Sequence, residues 1–171
     1  YDGDTRHATT PDVGADEFSG IGQDLTGPST TFTNLTNTIC LDNRNLTAEI
    51  SDATGVNTTA GTKPRLYYKK HTESNAFSAT NTSVDNGWKW VEASNGASPF
   101  SFTFDYTKLT APVAAGDSIE YFIVAQDIVT TANVGSSGVT FTATPSSVNL
   151  QSGAFPITNF KGYKFLTQPG S

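Results

Sequence analysis

The chain has a single cysteine, Cys40, no methionine and only two histidines, His7 and His71. One cysteine excludes an internal disulfide, and its place between Ile39 and Leu41 predicts a small buried hydrophobic side chain rather than a reactive thiol. Two histidines and one cysteine scattered along the chain do not supply the ligands of a zinc site. Neither histidine has a Gly-x-Ser-x-Gly neighbour, so a serine hydrolase is not expected.

Charged residues are also scarce, at 15% of the chain, and the ten Lys and Arg form no dense run against a net charge of -6. Binding to nucleic acid or to an anionic membrane needs clustered cations, so neither partner is expected. No apolar stretch approaches the roughly 20 residues that cross a bilayer, so membrane insertion is not expected. The absence of a signal peptide and of methionine predicts an internal fragment of a longer polypeptide.

Thr, Ser, Asn and Gly are abundant instead. Thr favours strands because its branched Cβ suits a pleated surface, and Gly and Asn favour turns. No segment of about a dozen residues carries the period of an amphipathic helix. Strand-like runs recur at roughly the 8–12-residue spacing of a sandwich. The sequence therefore predicts an all-β protein of two packed antiparallel sheets, with almost no helix.

Eight runs of the chain carry a strand pattern. The clearest is 100–106, where four aromatic residues alternate with polar ones and so point to one face of a sheet. The run 119–125 is apolar enough to be a central strand. The predicted strands are residues 30–35, 46–50, 64–70, 87–92, 100–106, 119–125, 139–143 and 157–166.

The same alternation predicts which side chains meet in the core. In 64–70, Leu66 and Tyr68 are expected on one face of the strand and Tyr67 on the other. We expect a core that includes Ile50, Leu66, Phe102, Phe104, Tyr121 and Ile123.

The N-terminal segment has a motif of its own. Residues 2–6, Asp-Gly-Asp-Thr-Arg, and residues 11–18, Pro-Asp-Val-Gly-Ala-Asp-Glu-Phe, resemble the tail that closes right-handed parallel β-helix domains in large secreted bacterial proteins. The resemblance implies that residues 1–18 end such a domain and that an accessory module follows it. Residues 19–28 are rich in Gly and end with Pro, which predicts a linker.

A second resemblance covers residues 29–145. The segments 46–50, 64–68 (Pro-Arg-Leu-Tyr-Tyr) and 115–127 (Ala-Gly-Asp-Ser-Ile-Glu-Tyr-Phe-Ile-Val-Ala-Gln-Asp) resemble strands B, C and F of immunoglobulin-like or fibronectin-III-like domains in bacterial surface proteins. The resemblance implies an immunoglobulin-like antiparallel β-sandwich of about 7–9 strands with an N-terminal extension. Residues 146–171 would be an extra strand pair or the start of the next module.

Two tryptophans suggest a ligand site. Trp88 and Trp90 lie two apart in a predicted strand, so their indoles are expected on the same face. Side by side at a surface they would form a flat apolar platform that stacks on the sugar rings of a polysaccharide. The alternative, which we favour, is that they fill the core, because Trp buries a large area.

Two aspartates suggest a metal site. In an immunoglobulin-like sandwich the loops after strands B and F lie at the same end, and Asp52 and Asp127 begin those loops. The Ala-x-Asp at 125–127 also resembles the end of strand F in cadherin-like repeats, where the Asp helps to hold calcium. Ca²⁺ is thus the only cofactor that the sequence suggests, and the alternative is that both residues cap tight turns.

Together these observations predict a non-catalytic accessory, spacer or adhesion module of a secreted multidomain bacterial protein, extracellular or attached to the cell surface. Its expected partners are the neighbouring domains of the same polypeptide, and it is expected to be a monomer. The alternative is a carbohydrate-binding module that uses the two tryptophans. Sixteen acidic residues make some carboxylate pair inevitable, so their number does not indicate a glycosidase.

Overall fold

The computed structural model describes residues 22–169. They form two antiparallel sheets, with two short 3₁₀ helices, Tyr106–Lys108 and Ser152–Ala154, and this confirms the predicted all-β sandwich. None of the helices in this range is long and apolar enough to cross a membrane. The predicted β-helix tail, residues 1–18, lies outside the described residues. The strands are β1 (Ser29–Thr31), β2 (Asn45–Ser51), β3 (Arg65–Lys70), β4 (Lys89–Glu92), β5 (Phe100–Thr103), β6 (Ser118–Gln126), β7 (Val134–Ser136) and β8 (Lys161–Lys164).

The smaller sheet has the order β1-β2-β5. The larger sheet has the order β4-β3-β6, and the far edge of β6 is shared by two short strands. β7 pairs with the residues at the end of β6, from Val124 to Gln126, and β8 pairs with those at its beginning, from Ser118 to Tyr121. One edge of the longest strand is therefore completed by two strands that are separated in sequence by residues 137–160.

The main core fills the space between the sheets. Alternate residues of β2 are buried, as expected for a strand with one face inward, and all six predicted core side chains are at most 2% exposed. Phe104 lies at the centre, with its ring 5.3–6.1 Å from four tyrosine rings. The principal members of this core are Leu46, Ile50, Leu66, Tyr68, Phe100, Phe102, Phe104, Tyr106, Ile119, Tyr121, Ile123, Tyr163 and Phe165.

A second core covers the outer face of the larger sheet. Every residue of β3 is buried, and so are the last six of β6, because residues 137–160 pack against the face that points away from the smaller sheet. Residues 146–165 are thereby part of the sandwich. The principal members of this second core are Tyr67, Trp88, Phe122, Val124, Val148, Leu150, Phe155 and Ile157.

Several predicted strands differ from the observed ones; the predicted strand 100–106, for example, ends at Thr103, and Tyr106 begins a 3₁₀ helix. Residues 139–143 do not form a strand; only Thr140 makes an isolated bridge, to Thr158, because this part of the chain covers the sheet instead of joining it. The strand at this edge is β7, whose sequence Val-Gly-Ser has too little apolar character to be recognised. Of the predicted strand 157–166, only Lys161–Lys164 is regular.

The first strand is shorter than predicted because the chain changes sheets. After Thr31 it leaves β2 and crosses to the larger sheet, where Thr38 pairs in parallel with Phe165. On the way the Leu35 N–H donates to the Tyr121 hydroxyl at 2.9 Å. We call residues 32–38 the crossing segment.

The prediction that Cys40 is buried is wrong. Cys40 lies in the loop after the crossing segment and is exposed, as are its neighbours Ile39 (54%) and Leu41 (43%). The Cys40 N–H is bonded to the Thr38 hydroxyl, and its Sγ lies 3.3 Å from the Asp42 carboxylate. The short apolar run does not indicate burial here because it belongs to a loop, which has no inward face.

Candidate functional site

Three aspartates meet at one end of the sandwich. Asp52 follows β2, Asp127 follows β6 and Asp24 precedes β1, and each offers a carboxylate oxygen within 4.8 Å of the other two. The structure thus places Asp52 and Asp127 together, as expected from the sequence, and adds Asp24. Asp127 is fully buried, whereas Asp24 and Asp52 are partly exposed. We call these three residues the aspartate cluster.

Asp52 closes a tight turn. Its Oδ1 accepts from the Thr54 N–H at 2.9 Å, from the Thr54 hydroxyl at 2.7 Å and from the Gly55 N–H at 3.2 Å. Gly55 has a φ of +113°, a backbone conformation that residues with a Cβ atom rarely adopt. The capping role that the sequence suggested for Asp52 is therefore present in these bonds.

Asn133 connects Asp24 and Asp127 through hydrogen bonds. Its N–H donates to Asp127 Oδ1 at 2.9 Å, and its side-chain amide donates to Asp127 Oδ2 at 2.7 Å and to the Asp24 carbonyl at 3.0 Å. Asp24 Oδ1 accepts from the N–H and the hydroxyl of Thr26, and Asp24 Oδ2 lies 3.0 Å from the Thr54 Oγ1, whose single proton it shares with Asp52 Oδ1. These donors hold the pKa of the Asp24 carboxyl below its usual range, with the Thr26 N–H as the main cause.

The aspartate cluster has two possible roles, which its chemistry separates. An oxygen-only set on loops suits Ca²⁺, which takes 6–8 oxygen ligands. The observed bonds, however, already engage every one of the three carboxylates with a backbone N–H, a hydroxyl or an amide. Fastening three loops at one end of the sandwich follows directly from these bonds, and calcium binding stays a prediction.

Asp24 was not predicted as a site residue because it lies in residues 19–28, whose glycines and final proline are typical of a linker. A local signal was present, however: Asp24, Asp52 and Asp105 are each followed two residues later by Thr, in an Asp-x-Thr motif. In all three motifs the Asp Oδ1 accepts from both the N–H and the hydroxyl of that Thr. The motif therefore predicts a capped turn, and two of its three copies meet in the aspartate cluster.

The two tryptophans do not form the exposed platform that the sequence left open as the less favoured reading. Trp88 is 1% exposed; its ring packs against Phe122 and Phe160 in the second core, and its indole N–H donates to Asn75 Oδ1 at 2.8 Å. The favoured reading, that Trp88 fills a core, is confirmed. A platform does not form because the face that carries Trp88 is covered by residues 137–160.

Trp90 is only partly buried, yet its ring is not bare. The Arg65 guanidinium lies 3.5 Å from the ring centroid and also pairs with Glu92 at 3.2 Å. Lys108 Nζ lies 5.5 Å from the same centroid and donates to the Trp90 carbonyl. At least one face of the indole is thus occupied by a cation of the protein itself.

A second polar cluster was not predicted. Lys69 and Glu120 face each other across β3 and β6, with Nζ 2.6 Å from Oε2, and their side chains are only 3% and 12% exposed. Glu120 Oε1 lies 2.6 Å from Nδ1 of the exposed His71. Lys69 Nζ also donates to the carbonyls of Lys70 and Glu73. This cluster anchors the turn after β3. It could not be predicted from the sequence because Glu120 is about 50 residues from its partners.

Comparisons with known proteins do not extend these findings: no family model, no curated protein and no solved structure matches the chain.

Proposed function

We propose that the chain is a non-catalytic accessory or spacer module with an immunoglobulin-like fold, and that it belongs to a secreted or surface-attached multidomain bacterial protein. Its partners are then the neighbouring domains of the same polypeptide. Two kinds of observation support this proposal. They are the arrangement of the strands and the positions at which the described chain enters and leaves the sandwich.

The strand arrangement supports the immunoglobulin-like part. One sheet is formed by the first, second and fifth strands, and the other is built around the third and sixth. The first strand then crosses to join the larger sheet in parallel at Phe165. This arrangement supports an immunoglobulin-like plan, in which two packed sheets share about seven strands; β7 and β8, on either side of residues 137–160, would together take the place of its last strand.

The observation that carries the spacer proposal is the placement of the two ends. Asp24 lies beside Asp127, at the end of β6, whereas Phe165 bonds to Gly116 and Asp117, at the beginning of β6. β6 has nine residues, so the entry and the exit are about 30 Å apart along it. A module with its ends at opposite poles extends a polypeptide by its own length, which is what a spacer does.

Domain replacement in the parent polypeptide tests the spacer role. Residues 29–169 are replaced by an unrelated β-sandwich whose ends are also about 30 Å apart, and in a second version by a sandwich whose ends are adjacent. The spacer proposal expects the neighbouring domains to keep both their activity and their separation in the first version. In the second version the separation between them should shorten. Loss of activity in both versions would show that this module contributes a specific surface and would contradict the proposal.

The alternative, a carbohydrate-binding module, now depends on Trp90 alone. Retention of the chain on a panel of insoluble polysaccharides measures it, with Trp90→Ala as the test and Trp90→Phe, which keeps a ring, as the matched control. Retention that is lost in Trp90→Ala and kept in Trp90→Phe would support sugar binding. The spacer proposal expects no retention of any of the three proteins.

A further inference from the structure

One edge of β2 is only partly paired. β1 pairs with Glu49, Ile50 and Ser51 and then leaves as the crossing segment. On the opposite edge, β5 pairs with residues 45–48. Residues 45–48 therefore have one paired edge and one open edge, and an open edge presents hydrogen-bonding groups to any other strand.

The register identifies which backbone groups point to the open edge. Alternate residues of a strand direct their N–H and C=O groups to opposite edges. The Arg44 carbonyl accepts from Phe104 on the β5 side at 2.9 Å, so the even-numbered residues of β2 face β5. Asn45 and Thr47 thus direct their N–H and C=O groups to the open edge, where no backbone partner among residues 22–169 meets them.

A groove of about 510 Å³ runs along this edge, between β2 and the crossing segment. That volume lies within the range of roughly 300–1,000 Å³ found for ligand sites. Phe32 and Leu35 line it and pack against the main core, so its inner side is apolar. Four residues of an extended chain span about 13 Å, which matches the open stretch 45–48.

The two ends of the groove carry opposite charges. Arg44 lies at one end, held by a bond from its Nη1 to the Thr36 carbonyl at 2.6 Å. Glu49 lies at the other end, where its Oε2 accepts from the Ser98 hydroxyl at 2.6 Å. Because Thr31 already pairs with Glu49, an added strand cannot continue past that point in the sheet. The Glu49 carboxylate is held away from the open edge, because Ser98, which bonds to it, also accepts from the Ile50 N–H on the β5 side of the strand. Arg44 is therefore the charged residue that an added strand would meet.

We propose that this groove binds an extended segment of a partner polypeptide, which adds to the smaller sheet as a strand antiparallel to β2, in line with β1. The partner residues opposite Ala48 and Leu46 point toward the core and are apolar. Those opposite Thr47 and Asn45 face solvent and exchange backbone hydrogen bonds with them. The fifth partner residue is acidic and meets Arg44. This binding activity goes beyond a spacer role.

A short peptide tests the proposal. The probe is Val-Thr-Val-Thr-Asp with an acetylated amino end and an amidated carboxyl end, titrated into isotope-labelled protein and followed by NMR and hydrogen exchange. The amide signals of Asn45 and Thr47 should shift, and their exchange should slow about tenfold at saturation. The amides of Leu46 and Ala48, already bonded to β5, should change little. Replacement of the fifth probe residue, Asp, by Asn should weaken binding about fivefold, the size expected for one exposed ion pair with Arg44.

Two substitutions at one position supply the matched control. Thr47→Pro removes the N–H at the open edge, where proline is tolerated, and should abolish binding; Thr47→Ala keeps the N–H and should bind like the original protein. If Thr47→Pro does not fold, a probe methylated on the backbone nitrogen of its second residue makes the same test on the unchanged protein. Signal shifts confined to another surface, equal binding of the methylated probe, or no shifts at millimolar probe would overturn the proposal.

Discussion

The two faces of the larger sheet are both buried, but they are covered in different ways. One face meets a second sheet, and its core is assembled from regular strands with alternating side chains. The other face meets residues 137–160, which contain only one short 3₁₀ helix. A sheet needs an apolar cover, and the comparison shows that the cover itself need not have regular structure.

An irregular cover needs partners for its backbone groups, and the sheet provides them. The Tyr67 hydroxyl donates to the Val148 carbonyl at 2.6 Å and accepts from the Leu150 N–H at 3.2 Å. Asn75 donates to the Ile157 carbonyl at 2.8 Å and accepts from the Ile157 N–H at 2.9 Å. Polar side chains thus replace the ladder that a second sheet would have made, because a buried backbone group without a partner is costly.

The largest expected effect comes from the regular core. Phe104→Ala removes the ring at its centre and should lower the free energy of unfolding by about 3–5 kcal/mol, the usual cost of emptying such a site. Urea denaturation measures it. Thr103→Ala, at the exposed last residue of β5 beside Phe104, is the control and should change little. A loss below about 1 kcal/mol would mean that the sheets close over the cavity.

The next effect concerns the irregular cover. Asn75→Ala leaves both backbone groups of Ile157 and the Trp88 indole N–H without their partner, and should cost about 2–3 kcal/mol. Hydrogen exchange should accelerate in residues 147–157 and not in β2 or β5. Asn149→Ala, an exposed amide in the cover, is the matched control. Uniform acceleration over the whole chain would show that the two cores unfold as one unit.

Alkaline pH should weaken both cores. All five tyrosines in residues 22–169 are buried, and burial raises the pKa of each. A pKa raised in the folded state means that stability is constant below the unfolded value of about 10 and falls above it, by up to about 1.4 kcal/mol per pH unit for each tyrosine. Denaturation curves at a series of pH values measure the slope.

Single substitutions assign that slope to a core. Tyr67 belongs to the second core and the other four tyrosines to the main core, so Tyr67→Phe should remove about one fifth of the alkaline slope. Tyr68→Phe should remove a similar share from the main core. An unchanged slope in both variants would mean that other groups cause the alkaline loss.

The smallest expected effect is that of calcium on the aspartate cluster. Because hydrogen bonds already engage all three carboxylates, the melting temperature should be the same in about 5 mM calcium, above the weak end of calcium-module affinities, as in chelator. A rise would indicate a bound ion, since a ligand of the folded state stabilises it. Asp52→Asn would then abolish the rise, whereas Asp42→Asn, outside the cluster, would not.

The sequence predicted the regular core well and the cover poorly, for a physical reason. Phe102 and Ile50 alternate with polar residues because a strand has one inward face, and that period is visible in the chain. Residues 137–160 have no period because their contacts are made by an irregular backbone. Trp88 could therefore be placed on a face of its strand but not under a cover.

The candidate site shows the same limit. The proximity of Asp52 and Asp127 could be predicted because each directly follows a recognisable strand. Asp24 could not, because nothing in a Gly-rich stretch indicates which end of the sandwich it reaches. The burial of Cys40 was wrongly predicted from its two apolar neighbours. Those residues lie in a loop, and a loop has no face that points into the core.

The crossing segment has a mechanical consequence. Tension applied through the two poles pulls β1 and the crossing segment toward the entry, and β8 toward the exit. The crossing segment and the end of β8 run in parallel at Thr38 and Phe165, so the load acts along the chain and stretches the bonds of β1 to β2 and those of Thr38 to Lys164 and Leu166 together. Strands that are sheared in this way resist separation more than strands peeled apart bond by bond. Because the chain changes sheets after Thr31, hydrogen bonds in both sheets would have to break together before the sandwich could be pulled apart.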